Sequence, residues 1–466
     1  MSAGAVARPR TAAGDDVVRD AVDAYHDLLT ADVAADSQAV LDAQIRKRDL
    51  FFGDRPLCTV LRPRFMSPTQ YRLLQRRAAA LLGAFGRAHA AAIADARVRA
   101  QFRLTPWEEE LVLDDPGFPW PSPVSRLDAF FAGDDGLQFT EYNAETPAGP
   151  SFNDVLTEVF YALPAMREFT RHWDVRPLPA RHNVLHALLA AYEAWSGTRA
   201  VPRIAVLDWL DVPTRREFTL FQEYAERQGV RCIVADPRGA ERRGGQLILD
   251  GQPVDLIYKR VLISELIERC GLDHAVVRAV RERAVCMVNP FACKILHKKA
   301  SLAVLSDERN APLYTAQERE AVAANVPWTR VVEERRTTHG GAPIDLVPFI
   351  VEHKDDLVLK PNDEYGGKGI VLGWEVDDAA WAEALRAALR EPYIVQERVA
   401  LPSEPYPSIV DGRLLVADRM LDTAPYVVYG QYVDGCLTRL STAALLNVTA
   451  GGGSSVPTLL VDKRER

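Results

Sequence analysis

The sequence predicts an α/β protein assembled from α+β lobes, and three observations predict it. The stretch VPRIAVLDWLDVPTRREFTLFQEYAERQGVRCIVADP reads strand, helix, strand. Its apolar run Ile204 to Leu207 lacks polar alternation, as a parallel strand covered on both faces requires. The helix Arg215 to Arg227 closes at Gly229 before the second strand, Cys232 to Ala235. The first hundred residues place apolar side chains three and four apart, through Val17, Ala21, Tyr25 and Leu28 and again through Tyr71, Leu74, Ala78 and Leu81, which is the period of packed helices. The last third sets short apolar strands around one helix, Asp378 to Leu389.

Composition fits a large folded chain. Of 466 residues, 48% are hydrophobic and 26% charged, which excludes disorder, collagen and coiled coil as whole-chain readings. The net charge of -8 supplies no cationic field for nucleic acid or an anionic membrane. Cys58, Cys232, Cys270, Cys286, Cys293 and Cys436 show no framework spacing and read as reduced thiols of a cytoplasmic protein. The start lacks the apolar core of a signal peptide, and no apolar run reaches membrane-spanning length.

In chain order, residues 1–14 read as a disordered tail, and 15–200 as a mainly helical part that also carries candidate site residues. Within it DRPLCTVLRPRF reads as a strand or extended segment, Arg126 to Phe131 and Leu137 to Tyr142 as two strands, and 151–200 as helical. Residues 201–285 form the βαβ unit, whose LILDGQPVDLIYKRV carries an Asp-Gly hairpin turn or enters a sheet edge. Residues 286–466 complete the chain.

Three constellations carry chemistry. In LVLKPNDEYGGKGIVLG, Lys360 ends an apolar strand, and Gly366, Gly367, Lys368 and Gly369 precede another. Three glycines in four residues let backbone amides approach an anion while two lysines supply charge; the alternative is a tight hairpin with surface lysines. Arg126 with Asp128, and Glu141 with Asn143, are each two apart on a strand, so each pair shares a face. Together they offer oxygen ligands for Mg²⁺, or form the solvated side of a hairpin. YIVQERV sets Gln396 and Glu397 in an apolar strand, suited either to an adenine pocket or to a sheet edge. His182 and His186 lie one helical turn apart without a third ligand and read as structural, and Gly451 to Gly453 form either an anion nest or a mobile loop.

In this order TEYNAETPAG, preceded by SRLDAFF, then NPFACKILHKKA, VLKPNDEYGGKGI and YIVQERV resemble the circularly permuted ATP-grasp family, which includes glutathionylspermidine synthetase. The resemblance spans roughly residue 50 onward and runs nearest to the family's uncharacterised members. It implies a permuted ATP-grasp fold with 201–285 as the pre-ATP-grasp-like domain, 286–466 as the nucleotide-binding part, and ATP and Mg²⁺ as cofactors. It implies Asp128, Glu141 and Asn143 as metal ligands, Arg126 against the transferring phosphoryl group, and Lys299 and Lys360 on ATP phosphates, with Lys294 or Lys298 as alternatives to Lys299. Gln396, Glu397 and Val399 fall beside adenine, and Arg439 is a late phosphate or substrate ligand. The implied activity is a carboxylate-amine ligase working through an acyl phosphate, with small-molecule or peptide carboxylate and amine substrates. A non-catalytic nucleotide-binding or scaffold protein on the same fold is one alternative, and a carbohydrate- or peptide-binding α/β protein is another.

Overall fold

The computed structural model describes residues 16–133, 136–364, 366–442 and 453–464. The expected tail 1–14, Gly451 and Gly452 lie outside the described residues. The fold is mixed α/β, with most strands gathered in one large, mainly antiparallel sheet, one parallel sheet and one smaller antiparallel sheet.

The large sheet has nine strands. Its main path runs Ser403–Val410, Arg413–Leu421, Tyr432–Ser441, Ala424–Val428, Val124–Ala132, Gly136–Asn143, and Ser454–Lys463 joins it beside Tyr432–Ser441. Early and late segments of the chain thereby share one sheet. Leu127, Phe131, Phe139 and Tyr142 of the 124–143 hairpin bury themselves with Leu74, Leu81 and Phe85 of the helix Pro68–Ala94. That helix starts at a Ser67–Gln70 capping box with Pro68 in its first turn, and it ends at Asp95. At about 1.5–3 kcal/mol for each large apolar side chain buried, this packing fixes which face of the hairpin is covered and leaves the polar face for a site.

The two expected hairpin strands are present, longer by a few residues, and the βαβ unit stands at Ile204–Leu207, Arg215–Arg227 and Cys232–Ala235. Its four-stranded parallel sheet is ordered Cys286–Val288, Leu256–Lys259, Ile204–Leu207, Cys232–Ala235. Asp250 and Gly251, both at positive φ, turn the hairpin Gln246–Leu249 to Gln252–Val254 as the Asp-Gly pair leads one to expect. The third sheet is ordered Thr329–Val331, Tyr393–Glu397, Leu357–Pro361, Val371–Leu372, and Trp381 and Leu385 of the helix Asp378–Ala388 pack in its core.

One local expectation is corrected, and a second is narrowed. Residues 151–200 are not all helical, because the strand Trp173–Pro177 separates Pro164–Phe169 from Arg181–Ser196 and pairs with Ser454–Lys463. Trp173 and Val175 alternate with Asp174 and Arg176 at the strand period, and Pro177 and Pro179 bar helix continuation. In DRPLCTVLRPRF only Arg55–Pro56 and Arg64–Met66 are strands. Pro56 and Pro63 break the ladder, and the segment between docks by single bonds, Leu61 N–H to the Pro407 carbonyl and Thr59 N–H to Ser454 Oγ.

Candidate nucleotide and metal site

The polar face of the 124–143 hairpin gathers the quartet expected of it. In the register Arg126 lies opposite Asn143 and Asp128 opposite Glu141. Arg126 grips Asp128 with Nε at 2.7 Å and Nη2 at 3.0 Å, and Asn143 Nδ2 donates to Asp128 at 2.9 Å. A fourth donor arrives from far along the chain: Arg439 of the strand Tyr432–Ser441 reaches Asp128 Oδ2 through Nη2 at 2.8 Å. Arg439 is itself held by Asp422, which accepts its backbone N–H and its Nε, each at 2.6 Å. Asp422 is buried, and no periodicity or spacing in RMLDTAP marks it, so the sequence reading missed it.

Lys299 and Lys360 face this hairpin from the smaller lobe. Lys299 Nζ lies 3.0 Å from Glu141 Oε1 and donates to the Glu364 carbonyl at 2.6 Å. Lys360 Nζ donates to Gln396 Oε1 at 2.6 Å, and Gln396 Nε2 donates to Thr329 Oγ1 at 3.0 Å. The neighbouring lysines point elsewhere. Lys294 pairs with Glu145 at 3.0 Å and Asp363 at 2.8 Å, while Lys298 pairs with Glu108 and Asp363, both at 2.7 Å. The helix Cys293–His297 ends before Lys298, whose extended backbone turns the chain, and Lys299 caps the next helix, Ala300–Ser306, so it leaves the direction of its neighbours.

A cleft runs between the two sheets. Asp128, Glu141, Lys360, Gly366, Gly367, Gln396, Glu397, Val399, Asp422 and Arg439 all line it, with Val358, Ile370, Leu372 and Trp374 as its apolar wall. Arg126 and Asn143 reach it through Asp128, and Lys299 through Glu141. Lys368 and Gly369 are not among its walls. The Lys368 side chain is 76% exposed and pairs with Glu364, and Gly369 is pressed so close to Pro361 that a Cβ there would meet Pro361 Cγ at 2.7 Å. Gly366, Gly367 and Gly369 all adopt positive φ, so the turn needs glycine whatever it binds. The strand ends at Glu397, which pairs with His339 Nε2 at 2.8 Å, and Val399 lies beyond it. His182 bonds Tyr224 and packs against His186, the structural role expected of that pair.

The electrostatics follow from burial against pairing. Burial opposes the charged form of Asp128, but the Arg126 and Arg439 guanidiniums outweigh it and hold the carboxyl far below the usual range. Glu141 is half-buried, which opposes its ionisation, and Lys299 holds it low. Burial pushes Lys360 down to about 8, with Glu141 opposing and Lys299 adding to the shift. Burial raises the Asp422 carboxyl, with Arg439 opposing. Among the described residues no three Asp, Glu, His or Cys side chains converge to hold a metal by themselves. Two carboxylates and an amide oxygen on one hairpin face nonetheless fit Mg²⁺, which takes one or two carboxylates and completes its shell with water and phosphate oxygens.

Behind the cleft lies a buried charge cluster that the sequence reading also missed. Glu145, two residues past Asn143, is fully buried between Lys259 at 3.3 Å and Lys294 at 3.0 Å, and it accepts the Ile263 N–H. The cluster joins the 124–143 hairpin, the parallel-sheet unit and Asp363 at the base of the glycine turn.

With this geometry in hand, comparison with known proteins bears on the fold. A glutathione synthetase-like effector from Globodera pallida, solved in the apo form, superposes with a TM-score of 0.58 at 13% identity, covering 92% of this chain and 96% of that one. The two chains share one fold over most of their lengths. No family model matches the sequence. Two Frankia proteins are similar in sequence. "Putative glutamate--cysteine ligase 2-2" of Frankia casuarinae is 24% identical over 351 residues, and "Putative glutamate--cysteine ligase 2-3" of Frankia alni is 26% identical over 358. Each match covers 71% of this chain and 38% of the relative, so the chain spans about two fifths of the length of the curated relatives it matches. Among the described residues no helix is long and apolar enough to cross a membrane.

Proposed function

We propose that this chain is an ATP- and Mg²⁺-dependent carboxylate-amine ligase that makes an amide or peptide bond through an acyl phosphate. The observation that carries the reading is the convergence of Asp128, Glu141, Lys360, Gly366, Gly367 and Arg439, drawn from distant segments, on one cleft with an apolar wall. Phosphoryl transfer asks for placed charge more than for a covalent nucleophile, and the cleft offers guanidinium, ammonium and carboxylate groups on a rigid sheet.

In this reading Val358, Leu372 and Val399 enclose the base, and Gln396 and Glu397 supply its polar edge. Lys299 and Lys360 bind phosphate oxygens, and the glycine turn lays backbone N–H groups over them. Asp128, Glu141 and Asn143 hold Mg²⁺, which neutralises phosphate charge when bound. Arg126 and Arg439 face the transferring phosphoryl group, and closure of the glycine turn excludes water from an intermediate that hydrolyses. Metal-side strands that precede the nucleotide lobe in the chain yet share a sheet with residues 403–463 support a circular permutation. The retained Arg126, Asp128, Glu141 and Asn143 favour an enzyme over a non-catalytic nucleotide-binding relative.

Glutamate with cysteine is the first substrate pair to try, on the strength of the Frankia names. The test is ADP release from Mg·ATP across carboxylates and amines, with hydroxylamine added to trap the acyl phosphate as a hydroxamate. Lys360→Ala and Glu141→Ala abolish both signals while retaining the circular dichroism of the parent. A parent that binds no ATP sinks the reading, and one that binds ATP yet never releases ADP across a broad panel moves it to the non-catalytic alternative.

A further inference from the structure

Asp128 Oδ2 carries three donors and Oδ1 one. The two oxygens take Arg126 Nε and Nη2, Asn143 Nδ2 and Arg439 Nη2, all within 3.0 Å. Two guanidiniums and an amide therefore crowd Oδ2, and a cation approaching it meets fixed positive charge while Arg439 stays in place. The two arginines are not equivalent. Arg126 forks onto Asp128 and sends Nη1 to the Ala148 carbonyl at 2.8 Å. Arg439 is anchored from behind, where Asp422 takes its backbone N–H and Nε and lies 2.6 Å from Nη2, so only the Nη2 end reaches forward to Asp128. Asp422 is 1% exposed and follows the strand Arg413–Leu421, so the anchor is part of the fold.

We infer that Arg439, anchored by Asp422, is a latch on Asp128: it occupies this carboxylate while the cleft lacks a polyphosphate and leaves it for a phosphate oxygen, opening Asp128 to a divalent cation. The inference rests on the nucleotide reading of the cleft. The exchange keeps charges matched, since the phosphate replaces Asp128 as acceptor for Arg439 Nη2 and the cation replaces Arg439 at Asp128. Asp422 holds the guanidinium through both states. Metal and nucleotide then bind as a coupled pair, each raising the affinity of the other by the same factor.

Mn²⁺ binding without nucleotide, followed by electron paramagnetic resonance, tests the latch directly. Removing Arg439 in Arg439→Gln raises Mn²⁺ affinity by about tenfold or more. Lys360→Gln deletes one positive charge from the same cleft without freeing Asp128, and it raises Mn²⁺ affinity far less. Equal gains in the two variants, or none in Arg439→Gln, overturn the latch. If circular dichroism shows Arg439→Gln misfolded, the complementary variant decides. In EDTA, ADP binds Asp128→Asn about tenfold tighter than the parent, because Arg439 no longer has to leave a carboxylate, while Glu364→Gln, which removes a negative charge beside the glycine turn whose partner is the exposed Lys368, gains clearly less. Equal gains there also overturn the latch, with the nucleotide reading intact. Failure of ADP to bind the parent with or without Mg²⁺ overturns the nucleotide reading and the latch together.

Discussion

Replacing Glu145 by Gln probes the buried cluster that joins three parts of the chain. The carboxylate is fully buried, with Lys259 Nζ at 3.3 Å, Lys294 Nζ at 3.0 Å and the Ile263 N–H at 2.5 Å. A Gln side chain can still accept from Ile263, and Lys294 keeps Asp363 at 2.8 Å. Lys259 is the group left exposed to the loss: its side chain is fully buried, and beyond Glu145 its bond is to the Val261 carbonyl at 3.3 Å. Stranding one buried ammonium costs about 3–5 kcal/mol, a large part of the roughly 5–15 kcal/mol that holds a domain folded. Glu145→Gln therefore lowers the urea midpoint read by fluorescence of the buried Trp209, which lies in the core of the parallel-sheet lobe. Adding Lys259→Met, which removes the stranded charge, restores at least about half of the loss. Acid supplies a further check. Burial opposes ionisation of Glu145, but Lys294 and Lys259 outweigh it and depress its folded pKa below the ordinary 4.5. The stability it supplies is thus present above that value and drains away as pH falls, so parent and variant converge in acid. A midpoint unchanged at pH 7, or a double variant whose losses simply add, would refute the assignment of this carboxylate as the counter-ion of Lys259.

Three further outcomes are expected. Nucleotide affinity, read by calorimetry with Mg·ADP, declines as pH rises past about 8, because burial lowers Lys360 to about 8 and only its charged form attracts phosphate; Lys360→Arg, always charged, flattens the profile. Gly369→Ala places a Cβ 2.7 Å from Pro361 Cγ at a φ of +72°, costing about 1–3 kcal/mol in the turn, so Mg·ADP binds more weakly while the circular dichroism stays that of the parent. Burial raises the Asp208 carboxyl to about 6, with Arg260 opposing, so the folded state holds this proton more tightly than the unfolded chain and loses stability as pH climbs from about 4 to 6. Asp208→Asn is accordingly more stable than the parent at pH 8, by about 1–3 kcal/mol in chemical denaturation, and loses that advantage near pH 4.

What was legible in the sequence depended on local repetition. The hairpin quartet could be read because period two puts Arg126 with Asp128, and Glu141 with Asn143, on one face, and a short turn pairs the two strands. The βαβ unit could be read because its strands are apolar throughout and its helix ends at a glycine. Asp422 and Glu145 could not, since an acidic residue becomes a buried counter-ion only when a partner arrives from elsewhere in the chain. Arg439 is 17 residues from Asp422, and Lys259 is 114 from Glu145. The strand Trp173–Pro177 was missed for the same reason, its partner being Ser454–Lys463 near the other end of the chain.

The cleft is bridged by contacts between its own candidate ligands. Lys299 spans Glu141 on the hairpin and the Glu364 carbonyl beside the glycine turn, Lys360 reaches from the smaller sheet to within 3.5 Å of the Thr140 carbonyl, and Arg439 rests on Asp128. Each positive group that would meet a phosphate already has an acceptor, so nucleotide affinity is a difference between two sets of charge-assisted bonds and falls well short of the sum of the new ones. On the proposed nucleotide reading, Asp128 and Glu141 hold Arg439 and Lys299 in place until phosphate replaces these carboxylates as acceptors. Pre-positioning of this kind lowers the cost of ordering long side chains at the moment of binding, and it places that saving on the partner exchange at Asp128 and Glu141.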